Sequence, residues 1–190
     1  METNGTRRTK ARAPGVVKLF GEHAVVYGRL AIAAAISLFA SAQIEDGENS
    51  NLTIELPNFG VKYEFSKERL DVLHASYKNR TDIKDYISKN SDIKPEVLPY
   101  ATIASKAIGE YNANLIGKKV ILSSEIIAQR GLASSGSCCT AFAVAILRSS
   151  GIKLSDDEAI ELAREGEKIV HKNEGAGVSW NGQNYKPLGK

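Results

Sequence analysis

Cysteine is nearly missing from this chain: the only two, Cys138 and Cys139, are sequence neighbours. Adjacent thiols close no useful loop and lack a C-x-x-C or other ligand spacing, so a disulfide-stapled miniature domain is excluded and reduced thiols are expected. His23, His74 and His171 are too scattered to suggest a zinc cluster. Long apolar runs are also lacking. The longest, Leu30 to Ile36 and Ala141 to Leu147, fall far short of the roughly 20 residues that cross a bilayer, so no membrane partner is expected. The basic start METNGTRRTKARAPG has no apolar stretch before Val16 and thus no secretory core, which points to the cytoplasm. The sequons at Asn4, Asn51 and Asn79 then read as chance. An excess of one charge is missing too: 25 Lys+Arg against 22 Asp+Glu leave +3, too little for an extended cationic face, and nucleic acid is not expected as a partner.

What is present suits a single domain with a substantial core: 190 residues, 43% of them hydrophobic. The N-terminal half reads mainly as strands, at Gly15 to Phe20, Ala31 to Ile44, and Leu52 to Leu56 and Val61 to Phe65 around the turn at Pro57-Asn58. Lys67 to Pro95 is charged and shows no long apolar stripe; within it, Lys84 to Lys89 and nearby residues suit a surface helix or an exposed loop. From Pro99 to Leu115 apolar residues recur at helical spacing, with Gly117 as the stop. Lys119 to Ser123 reads as a strand and Gly136 to Leu147 as a helix of small residues. Ser155 to Glu158 matches an S-x-x-E capping box, opening a last helix to about His171. The stretch 174–190, with four glycines and no apolar period, reads as an irregular tail.

Three segments carry candidate chemistry. In Gln129-Arg130-Gly131-Leu132-Ala133-Ser134-Ser135-Gly136-Ser137, glycines, small residues and hydroxyls meet at the start of a helix. Such a turn lets backbone amides approach phosphate oxygens, and the helix dipole favours the anion; a serine-rich cap is the other reading. It is not a G-x-x-x-x-G-K-[ST] loop. In PGVVKLFGEHAVVYG, Pro14 to Gly28, a strand ends in glycine followed by Glu22 and His23, and Lys18 either enters a cleft or snorkels to solvent. Glu167, on the last helix, either coordinates Mg²⁺ or faces water.

Together these segments resemble the GHMP small-molecule kinases, and GEHAVVYG, Gly21 to Gly28, resembles the members that act on mevalonate. The string Ile127 to Ser137 is similar to the family's phosphate motif P-x-x-x-G-L-G-S-S-[AG]-[SA], with changes. The resemblance covers Ala13 to about Asn173, leaving residues 1–12 as a basic tail and 13–173 as the ATP- and substrate-binding domain. It implies an α+β fold like domain 2 of ribosomal protein S5. It also implies transfer of the γ-phosphoryl group of ATP to the mevalonate hydroxyl, with ATP as co-substrate and Mg²⁺ as cofactor. Residues 129–137 would wrap the ATP phosphates, Ser135 and Glu167 would hold the metal, Lys18 would supply a catalytic positive charge, and Glu22 and His23 would line the mevalonate side.

The departures are specific. The motif's proline is Ile127 and its middle glycine is Ala133, which costs on the order of 1 kcal/mol if that position needs positive φ. The lysine that follows Pro-Gly in the family is Val16 here, and Lys18 shares its strand face. No aspartate follows Asp157, and direct alignment puts Val178 where the family has the group that orients or deprotonates the attacking hydroxyl. A counterpart of the family's ferredoxin-like second domain is also missing, so weak or no turnover is expected, as from a shortened form. The surface such a domain normally covers makes a homo-oligomer an open expectation. The rival readings are other members of the family, acting as a phosphomevalonate kinase, a mevalonate 3-kinase or a diphosphomevalonate decarboxylase, and a non-catalytic nucleotide-binding module.

Overall fold

A computed structural model describes residues 8–21, 23, 27–128, 130–153 and 155–173. Five strands, β1 (Thr9–Phe20), β2 (Ile32–Asp46), β3 (Leu52–Leu56), β4 (Val61–Phe65) and β5 (Lys118–Ser124), form one sheet in the order β1-β2-β5-β3-β4. All neighbours are antiparallel except β3 and β5, which run parallel. A parallel pair needs a crossover, and here it contains three helices: α1 (Lys67–Lys78), α2 (Ile83–Lys89) and α3 (Leu98–Tyr111). Two more, α4 (Ser134–Ser149) and α5 (Asp156–His171), follow β5. This is an α+β arrangement.

Alternation along the strands decides which face is covered. Ala40, Ala42 and Ile44 of β2 and Val120 and Leu122 of β5 are buried, whereas Lys119 and Glu55 form a 2.7 Å ion pair between the neighbouring strands. Helix α4 lies on β1, β2 and β5, α5 and α3 pack on α4, and α1 packs on α3. The alanines of β2 meet a helix that is itself rich in small residues, with Cys139, Ala141, Phe142, Ala143, Ala145 and Ile146 all buried. Both cysteines are free and buried, and burial raises both thiols above their usual value, so neither is a ready thiolate.

Several boundaries differ from the sequence reading. Strand β1 begins at Thr9, inside the stretch read as a basic tail, because Thr9 to Ala13 pairs in register with Ile44 to Ala40. The segment after Lys67 is two capped helices: Ser66 Oγ accepts from the Arg69 amide at 3.3 Å and Asp82 Oδ1 from the Asp85 amide at 2.8 Å. They bury Leu70, Leu73, Tyr77, Ile83 and Tyr86, a narrow stripe sufficient for helices this short. Helix α3 ends at Tyr111 because Asn112 turns left-handed at φ 55°, before Gly117 is reached. The capping box at Ser155 and Glu158 is present.

Candidate functional site

Strand β1 breaks its register between Pro14 and Val16, at Gly15, and again between Lys18 and Phe20. A side chain at Gly15 would press on Ile36 and on the Leu132 carbonyl, 3.2 Å away, so the strand can lie directly on the loop before α4. The Val16 amide donates to the Leu132 carbonyl at 3.0 Å, and Ser137 Oγ donates to the Pro14 carbonyl at 2.7 Å. The other flank of the loop is tied down as well: the Glu125 amide donates to Phe39 O at 2.9 Å, and Asn58 exchanges two hydrogen bonds with the Ser124 backbone. Sequence reading saw in Asn58 only a turn residue, and no local signal marks its reach to residue 124.

Between these anchors, Ala133 sits at φ 54°, ψ 37°. The position does need a left-handed residue, so the alanine stores on the order of 1 kcal/mol of strain. It also supplies no side-chain cap, which leaves the opening amides of α4 without one. The three serines separate by environment. Ser134 Oγ donates to Ile126 O at 3.3 Å and Ser137 Oγ is bonded as above, whereas the Ser135 hydroxyl has no hydrogen-bond partner among the described residues.

Helix α5 brings Glu167 to this place. Gly136 faces it: a Cβ there would meet Glu167 Oε2 at 3.6 Å, an ordinary contact. His171 Nε2 lies 3.4 Å from the same oxygen, while Oε1 is buried and has no hydrogen-bond partner among the described residues. An orphaned buried carboxylate oxygen costs about 1–3 kcal/mol or more, which a bound cation would offset. Two hard oxygen donors, Ser135 and Glu167, fit Mg²⁺ in kind. The Cys139 thiol is driven up first by its burial and then by the charge of Glu167.

Pro14, Val16, Lys18, Gly131 to Ser137, Arg164 and Glu167 line one open cleft of about 1900 Å³. Thus Lys18, the loop and Glu167 face the same large cleft. Arg130 and His23 are exposed and do not line it, and Glu22 and Gln129 lie outside the described residues. His23 follows Lys18 by five residues, within about 17 Å along an extended chain. Arg164 was not singled out by sequence, although its position one turn before Glu167 on the same helical face was the available signal.

Residues 99–179 match the family model described as the GHMP kinases N-terminal domain. The chain is 31% identical over 166 residues to a mevalonate kinase of Thermococcus sibiricus, covering 86% of this chain and 45% of that protein. It is also 31% identical over 195 residues to one of Arabidopsis thaliana, covering 85% and 51%. The crystal structure of the Methanococcus jannaschii mevalonate kinase superposes with a TM-score of 0.70 at 24% identity, over 90% of this chain and 49% of that one. The chain carries the N-terminal domain of the GHMP kinase family. It spans about half the length of the curated relatives it matches.

Proposed function

We propose that this chain binds Mg·ATP with the terminal phosphates at the start of α4 and supports phosphoryl transfer to the hydroxyl of mevalonate. One observation carries the nucleotide reading: the uncapped start of α4, the unpartnered Ser135 hydroxyl and the orphaned Glu167 oxygen share one cleft. The acceptor follows from GEHAVVYG and from relatives named mevalonate kinases.

In this reading the amides opening α4 hold phosphate oxygens through unpaired donors and the helix dipole, with no reorganisation as charge develops. Ser135 and Glu167 hold Mg²⁺, which when bound neutralises charge on the phosphoryl oxygens. Lys18 adds a positive charge from the cleft wall, and Glu22 and His23 are assigned to the acceptor on the resemblance of GEHAVVYG alone. No aspartate follows Asp157, and Val178 stands at the position aligned with the family's aspartate, so in this reading the chain alone binds nucleotide and turns over weakly or not at all.

Calorimetry with Mg·ATP and with mevalonate, beside a coupled ADP-release assay, tests this. Binding of Mg·ATP, weakened in Lys18→Met, is expected. Binding of neither ligand refutes the proposal, and brisk mevalonate-dependent ADP release refutes the part assigned to the missing aspartate. Product formation from mevalonate phosphates but not mevalonate would move the chain to another member of the family.

A further inference from the structure

Two residues before Glu167, α5 carries a second carboxylate with the opposite environment. Glu165 is buried, 8% exposed at its side chain, and is met from three helices: by the Tyr77 hydroxyl of α1, by Lys106 Nζ of α3 at 2.9 Å and by Lys168 Nζ of α5 at 3.1 Å. None of Tyr77, Lys106, Glu165 and Lys168 lines the cleft. Between the two carboxylates, Gly166 allows close approach to α3 and α4: a Cβ there would lie 2.7 Å from Ile103 Cδ1 and 2.8 Å from Cys139 Sγ.

We infer that Glu165 is a positioning residue, whose bonds to Tyr77 of α1 and Lys106 of α3 fix the rotation of α5 and so hold the Glu167 carboxylate in the cleft. Residues 165 and 167 are about 200° apart around a helix of 3.6 residues per turn, so they project to nearly opposite sides. Any rotation of α5 that moves Glu165 from its partners moves Glu167 as well. With side chains reaching about 6 Å from the axis, a turn of roughly 20° displaces a carboxylate by about 2 Å. Mg²⁺ demands near-ideal octahedral geometry, and a shift of that size exceeds what such a site tolerates. Gly166 sets how closely α5 approaches its neighbours, and Glu165 sets its angle. The inference rests on the reading of Glu167 as the metal-binding group.

Tyr77→Phe and Lys106→Met each remove one anchor without touching the cleft. The probe is the affinity for a non-hydrolysable ATP analogue, measured by calorimetry in EDTA and across a Mg²⁺ titration. A thermal melt accompanies each protein. The expected result is a Mg²⁺ half-saturation raised about tenfold in both variants, the usual cost of losing a group behind a metal ligand, with metal-free affinity unchanged. Phe65→Leu, in the edge strand β4, serves as a destabilised control that leaves the Mg²⁺ dependence as it was. The inference is overturned if folded Tyr77→Phe and Lys106→Met keep the wild-type Mg²⁺ dependence, or if the control shifts it equally. Wild-type nucleotide affinity that does not respond to Mg²⁺ overturns the Glu167 reading first, and this inference with it.

Discussion

Glu165 and Glu167 lie on one helix two residues apart, yet the protein treats them in opposite ways. The first is closed in by a tyrosine and two lysines, and the second keeps one buried oxygen with no partner. The same contrast runs through their surroundings. On the Glu165 side, α1, α3 and α5 pack with Leu70, Leu73, Ile103, Ala107 and Leu162 buried. On the Glu167 side, the chain leaves an uncapped helix start, a left-handed alanine and an open cleft. Natural chains satisfy buried polar groups almost everywhere, so a place where several go unsatisfied together is where a ligand is expected.

The largest effect that separates the two sides comes from deleting each carboxylate. Glu165→Ala strands two lysines in a half-buried site and is expected to cost about 3 kcal/mol in urea denaturation. Glu167→Ala removes an unsatisfied oxygen and is expected to leave stability unchanged or slightly higher, while Mg·ATP binding is lost. Equal losses of stability would erase the distinction between core and site.

A smaller contrast uses two glycines. Gly166→Ala drives a methyl into Ile103 and Cys139 and is expected to cost about 1–3 kcal/mol by the same measurement. Gly136→Ala meets only Glu167, at an ordinary 3.6 Å, and is expected to fold normally while weakening binding of the ATP analogue.

Acidity sharpens the comparison further. Burial works to raise the Glu165 pKa, but the hydrogen bonds from Tyr77 and Lys106 and the charges of both lysines outweigh it, leaving it below its ordinary 4.5. Burial likewise opposes the charge on Lys106, yet Glu165 and Glu110 hold its pKa above 10.5. A depressed carboxylate contributes stability that is present above its unfolded pKa and lost as pH falls through its folded one. A raised lysine contributes stability that is present below its unfolded pKa and lost as pH rises through its folded one. The network therefore stabilises the fold between about 4.5 and 10.5. Tyr77→Phe is expected to weaken the acid dependence of Tm on the low side of that window.

The smallest effect is at Ala133. Ala133→Gly releases left-handed strain but loosens the unfolded chain, for a net gain of about 0.5 kcal/mol, or a Tm higher by about 1–2 °C. A lower Tm would mean that the loop is not strained.

Much of the cleft was legible in residue order. The phosphate-like turn, the strand before GEHAVVYG and the helix with Glu167 could be read because each rests on local chemistry: glycine and serine at a helix start, a charge interrupting an apolar strand, and a capping box at Ser155. Helix α2 falls on Lys84 to Lys89, where the sequence suits a surface helix or an exposed loop, but α1 was not legible, because its stripe of Leu70, Leu73 and Tyr77 amounts to little until α3 covers it. Nor could order alone separate the serines, since what distinguishes Ser135 is that Ile126 and Pro14 occupy the other two.

By itself, then, the sequence determined the strands and helices of the site, their order, and the kinds of group they carry, because backbone preferences act over a few residues. Which lysines, serines and glutamates are consumed in packing and which remain for a ligand was decided only by the tertiary structure. Satisfaction of a buried group depends on partners from elsewhere in the chain: Tyr77 and Lys106 reach Glu165 across 88 and 59 positions, and among the described residues no comparable partner reaches Glu167 Oε1.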